Sequence, residues 1–233
     1  MKQATDIGIK QMSNINSIIK YSEEAIIRPD FVEGYLRVMY DSPPLIRWYH
    51  NLNHVETFCE HLMSGDHGYN EIVAGLFHDI IYVPGSKTNE WDSIRQFRKI
   101  YDMDAFNKRI IDPSHVINLI EMTIDHKKVN RTPRELRFMQ SDFANMYDIN
   151  RYENDAKNIQ TEYLTVCTLN QYKIGRRKFL RDHKPFLLEL FADCHWLSKS
   201  IQENIDKEIS WINGNGNWER APILSGSTQM LQF

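Results

Sequence analysis

The chain has 233 residues, a net charge of -3 and a pI near 6.3, with 42% hydrophobic and 25% charged residues. That length buries a full core without disulfide or metal staples. The mild acidity argues against a protein that coats nucleic acid or a membrane surface, while leaving room for a local basic pocket around a phosphorylated small molecule.

Helical periodicity dominates and two-residue alternation is absent, so the expected fold class is all-α. Helices are expected at about 5–20, 29–40, 50–64, 69–82, 89–105, 114–127, 133–146, 150–170, 172–182 and 194–213. Asp112-Pro113-Ser114 precedes the stripe Val116, Leu119, Ile120 and Thr123, and Thr132-Pro133-Arg134-Glu135 places a proline in a first helical turn. Asp41-Ser42-Pro43-Pro44 and Val83-Pro84-Gly85-Ser86 read as loops. The polar stretch Lys127–Thr132 is flanked too closely by apolar helices to separate domains. The expected organisation is an N-terminal helical extension (1–28), one helical domain (29–213) and a C-terminal tail (214–233), begun by Asn213-Gly214-Asn215-Gly216-Asn217.

Cys59, Cys167 and Cys194 are odd in number, widely spaced and outside any CxxC pattern, as free thiols in a reducing cytoplasm would be. Met1-Lys2-Gln3-Ala4-Thr5-Asp6 carries no apolar signal-peptide core, and no stretch approaches the roughly 18 apolar residues of a membrane span. A cytoplasmic protein without membrane or nucleic-acid polymer partners is expected, and aromatics scattered over helical surfaces are compatible with a homodimer.

The chemistry begins in the run Ile72-Val73-Ala74-Gly75-Leu76-Phe77-His78-Asp79-Ile80-Ile81-Tyr82. A run this apolar is expected inside, where a histidine-carboxylate pair is costly unless compensated. Upstream, His54 borders the stripe Val55, Phe58, Cys59 and Leu62, with His50 four residues earlier as an i,i+4 companion. Downstream, Asp142 lies three or four residues from Phe138, Met139 and Met146, a carboxylate on an apolar face. A lone inward histidine is most simply a hydrogen-bonded core residue, and Asp142 alone would pair with Arg134 or Arg137. Taken jointly, these residues form a mixed nitrogen and oxygen ligand set suited to a catalytic divalent cation. No cysteine stands beside the histidines, which disfavours a closed structural zinc site.

At these residues the chain resembles the HD superfamily of metal-dependent phosphohydrolases, whose signature runs H…HD…D. Here it reads His54, His78-Asp79 and Asp142. A narrower branch is matched by Tyr49-His50-Asn51, Phe77-His78-Asp79 with Tyr82, Asn89-Glu90, Thr123 with His126, Asp142-Phe143, and Tyr152 with Glu162-Tyr163. The resemblance covers about residues 30–213. Two elements depart from that branch: Trp91-Asp92-Ser93-Ile94 replaces a small residue and alanine, and Gln140-Ser141-Asp142-Phe143 carries one acid where two are usual.

The resemblance implies an HD-type helical bundle in which His54, His78, Asp79 and Asp142 hold one divalent cation, whether Mn, Mg, Fe, Co, Ni or Zn. Such a cation lowers the pKa of its water and supplies hydroxide for attack on a nucleotide or another small phosphorylated metabolite. Arg47, Lys87, Lys127 and Lys128 are the candidate phosphate contacts, although a solvated surface charge is the simpler reading of each lysine. Arg47 is preferred for its planar fork. Glu90 is a candidate general base, His126 a catalytic or second-metal residue, and His50 a residue that orients a ligand or meets substrate. Arg176-Arg177 is expected on the exposed face of a late helix. A diiron oxygenase, in which His126 and His50 or His115 hold a second metal, is the competing reaction class, and an inactive binding module the third reading.

Overall fold

The computed structural model describes residues 14–41, 47–65, 67–124 and 131–214, apart from the side chain of Ile149. His126, Lys127 and Lys128 fall outside the described residues, as do most of the tail and the start of the N-terminal extension. The protein is all-α. Its helices are α1 (Ile15–Tyr21), α2 (Pro29–Asp41), α3 (Leu52–Met63), α4 (Tyr69–Phe77), α5 (Asn89–Asp102), α6 (Pro113–Met122), α7 (Pro133–Asp142), α8 (Ile149–Tyr163), α9 (Leu169–Leu190) and α10 (His195–Asn213), with a 3-10 turn at Ala144–Met146 before α8. Among the described residues there is no strand, only an isolated antiparallel bridge between Ile26 and Phe106. No described helix is long and apolar enough to cross a membrane.

The composition of α4 makes it the centre. Every residue from Glu71 to Phe77 is buried, and a helix apolar all round must have neighbours on every side. It packs between α3 and α6, with α5 also against it, while α7 lies on α3 and α6. Burying each large aliphatic or aromatic side chain stabilises the fold by about 1.5–3 kcal/mol, and Phe58, Ile72, Leu76, Phe77 and Phe97 all contribute at this junction. A second layer pairs α9 with α10, which reaches the first through α8 and the 3-10 turn. Ile15, Ile18 and Ile19 of α1 belong to the same core, and the Ile15 amide donates to Glu56 Oε1 at 2.8 Å.

Local signals explain most element ends. Asp112 caps α6 ahead of Pro113, and Thr132 with Glu135 forms a capping box on α7. Val83-Pro84-Gly85-Ser86 closes as a turn, with the Ser86 amide donating to the Val83 carbonyl at 3.0 Å and Gly85 at φ 80°. Proline at its second position and a glycine of positive φ at its third are what a type II turn requires.

Several boundaries differ from the sequence expectation, among them the end of α6 at Met122 and not near 127, and of α8 at Tyr163 and not near 170. Helix α4 stops at Phe77, so His78 caps it and Asp79 lies in the turn beyond. Helix α7 ends on Asp142 and not near 146, because Phe143 leaves helical geometry and the 3-10 turn takes over. Helix α9 continues through Pro185 to Leu190. A mid-helix proline costs about 3 kcal/mol, and burial of Leu187 and Leu190 on the inner face offsets it.

The Arg176-Arg177 pair also splits. Arg177 meets Asn213 at the surface, but Arg176 turns inward, its Nε 2.9 Å from Glu208 Oε1 and its Nη2 3.1 Å from Oε2. Tyr152 donates to the same carboxylate. Helix α9 therefore grips α10 and α8 through a buried ion pair, not through an exposed basic face.

Candidate metal centre

Three chain segments deliver the ligands. Asn51 opens α3: its Oδ1 accepts from the His54 amide at 3.2 Å, and its Nδ2 donates to the Trp48 carbonyl at 3.0 Å. The cap fixes His54 in the first turn. It also leaves His50 outside the helix, so His50 and His54 do not share a helix face as their spacing suggested. Their rings meet edge-on with centroids 5.9 Å apart.

His78 caps α4. Its Nδ1 donates to the Gly75 carbonyl at 2.8 Å, which turns the Nε2 lone pair toward the site. Phe58 stacks on the ring at 4.7 Å and holds its plane. Asp142, last residue of α7, brings Oδ1 to 3.8 Å from His54 Nε2 and 3.7 Å from His78 Nε2. Asp79 Oδ2 lies 3.1 Å from His78 Nε2 and 3.7 Å from His54 Nε2. Ligand atoms of His54, His78 and Asp142 all fall within 4.8 Å of one another. Three of the four expected ligands thus form one cluster, and Asp79 adjoins it through the two imidazoles.

The four groups are electrostatically coupled. Burial and the neighbouring His78 push His54 down to about 4, so it is a neutral imidazole at physiological pH. Burial opposes a charge on His78 too, but the carboxylates of Asp79 and then Asp142 outweigh it and push its pKa up to about 9. Asp79 is held well below the usual carboxylate range against its own burial, chiefly by His78. His78 Nε2 stands at ion-pair distance from Asp79, 3.1 Å, without meeting full hydrogen-bond geometry. A buried imidazole nitrogen beside a second imidazole and two carboxylates fits a divalent ion.

Arg47, the expected phosphate contact, is engaged with backbone. Its Nη1 and Nη2 donate to the carbonyls of Asp79 and Ile80 at 2.8 Å each, and its guanidinium sits 5.2 Å over the Tyr40 ring. The fork thus holds the backbone of the His-Asp turn. Asn89 and Ser93 of α5 hold the chain beyond it, Asn89 bonding both ways to Val83 and Ser93 both ways to Ile81. Glu90 stands half-buried in the first turn of α5, and Lys87 is exposed in the preceding loop.

Sequence reasoning gave Glu162 no role of its own, yet it organises the approach to α3. It accepts from the Tyr49 and His50 amides at 3.0 and 3.2 Å and meets His50 Nδ1 at 2.5 Å. These bonds hold its pKa low against burial. His50 is stacked on Tyr82 at 3.5 Å, and the Tyr82 hydroxyl donates to Tyr163. His61 meets the Tyr147 hydroxyl, His183 bonds the Phe179 carbonyl, and His115 lies 3.6 Å from Glu71, all apart from the ligand cluster.

His54 and Asp142 form part of the wall of a cavity of about 510 Å³, closed on its far side by α8. Arg47, His50, Lys87 and Glu90 do not line it. No model of a known protein family, no curated protein and no solved structure matches this chain, so the site is read from its own chemistry.

Proposed function

We propose that the protein is a metal-dependent phosphohydrolase acting on a small phosphorylated metabolite, with His54, His78, Asp79 and Asp142 as the ligands of one divalent cation. The observation that carries the reading is the cluster of His54, His78 and Asp142 with Asp79 beside its imidazoles, two of whose members line a cavity that admits a small molecule. The ordered H…HD…D resemblance supports the same activity. Bound there, a cation supplies Lewis acidity toward a phosphoryl oxygen and water of lowered pKa. The chain's own residues supply position. Arg47 fixes the backbone that carries Asp79, Gly75 fixes the His78 tautomer, and Asn51 fixes the first turn of α3.

Metal content per chain, measured on protein purified without chelator and again after Mn²⁺ reconstitution, tests this together with phosphate release from p-nitrophenyl phosphate. About one ion per chain, lost in His78→Ala along with phosphate release, is the expected result. Near two irons per chain would move the assignment to a diiron oxygenase. No retained metal in either form would end the catalytic reading.

A further inference from the structure

The wall of the cavity opposite His54 and Asp142 is built from α8, and its composition is amide-rich. Asn150, Asn154 and Asn158 recur at four-residue spacing, so their amides share one stripe of the helix, and all three line the cavity. Asparagine is among the poorer helix formers, and a merely solvated face is better served by glutamate, lysine or glutamine. None of the three amides bonds to another side chain or to backbone among the described residues; Asn158 is half-buried at the cavity, and Asn150 and Asn154 are exposed at its mouth. Beside them stands Asp155, also lining the cavity, only 8% exposed, and with no hydrogen bond or ion pair among the described residues. Its carboxylate feels the Arg151 charge but makes no hydrogen bond to the protein, so it is free to accept from a ligand in the cavity it lines.

The charge around this wall is the second observation. Asp142, Asp155 and Glu60 face the cavity, and the cation that lines it is Arg151, whose guanidinium rests on the Thr57 hydroxyl at 3.2 and 3.3 Å. Such a wall repels a chain of phosphates. It offers acceptors and amides to hydroxyl groups, and the Trp48 indole lines the same space as an apolar face for a ring. We infer that α8 forms a recognition subsite for the vicinal hydroxyls of an uncharged sugar ring, with Asp155 as their acceptor and the asparagine amides beside it, so that the substrate is a phosphate monoester of a sugar or ribosyl group. This rests on the phosphohydrolase reading for the bond that is cleaved, but not for the ligand that is bound.

The test compares calorimetric binding of ribose 5-phosphate and 2-deoxyribose 5-phosphate to the Mn²⁺-loaded full chain, in the wild type, Asp155→Asn and Asn158→Ala. The wild type is expected to prefer the ribose compound by about tenfold or more, and Asp155→Asn to erase most of that preference. Equal binding of the two sugars by the wild type, or a preference that survives in Asp155→Asn, would overturn the subsite. Adenosine 5′-monophosphate distinguishes the source of the diol: tighter binding than ribose 5-phosphate indicates a ribonucleotide, weaker binding a free sugar phosphate. Phosphate release is followed in parallel. A diol preference without release from any of these compounds or p-nitrophenyl phosphate leaves the subsite standing and removes the hydrolase; release without diol preference does the reverse.

Discussion

Asp155 is where function and stability pull against each other. Burial pushes its pKa up to about 6, with Arg151 opposing and Asp148 adding to the rise. The folded protein therefore holds this proton more tightly than the unfolded chain. Stability from the protonated form is fully present below the unfolded pKa of about 4 and is lost as pH rises through about 6. Asp155→Asn should therefore stabilise the fold by about 1–2 kcal/mol at neutral pH, after discounting for water in the cavity, and by little near pH 4. Thermal melts of both proteins across that range check it, and a variant no more stable than the wild type at neutral pH would refute it. The signal was legible: Asp155 lies between the buried Tyr152 and Ile159, the same acid-on-an-apolar-face pattern that picked out Asp142. His50 was misread because its position depended on Asn51, whose cap starts α3 later than the spacing alone implied.

Helix α3 carries His54 and the end of α4 carries His78, and the closeness of the two helices depends on an atom that is missing. A Cβ on Gly75 would stand 2.8 Å from the Phe58 ring and 3.2 Å from Cys59 Sγ. Phe58 cannot retreat, since it is 1% exposed and packed on both His78 and Phe138. Gly75→Ala improves helix propensity by about 1 kcal/mol but overpacks the contact by about 1–3 kcal/mol. The expected net result is a lower thermal midpoint and roughly tenfold weaker Mn²⁺ binding by calorimetry, although no ligand is altered. Unchanged metal affinity would show that the interhelix distance does not set the site. From the sequence, Gly75 reads only as a weak point in a helix, because the clash is with a residue seventeen positions away. The ends of α4 and α7 were likewise hidden: apolar periodicity continues through His78 and Phe143, and tertiary packing decides where the helix stops.

Across the whole molecule, periodicity sufficed for an all-α chain and for the order of its helices, whereas the contacts between layers involve side chains far apart in sequence. Arg176, Glu208 and Tyr152 are the clearest case, since a basic pair in a polar helix gave no sign that one member was buried. Arg176→Met leaves the Glu208 carboxylate buried without its ion pair and should cost about 3–5 kcal/mol, while replacing both, as Arg176→Met with Glu208→Leu, should recover most of that loss. Denaturant unfolding of the two variants measures the difference, and equal destabilisation would mean the pair contributes packing alone.

Asp142 is the last residue of α7, and Asp79 follows the last residue of α4 by two positions. The carbonyl ends of two helices thus point partial negative charge at a place that already holds two carboxylates. A phosphate approaching that place before any cation would meet repulsion from both carboxylates. For the hydrolase proposed above, the arrangement would favour an order of arrival, metal first and phosphate ester second, so that a chain without its ion would bind the ester poorly.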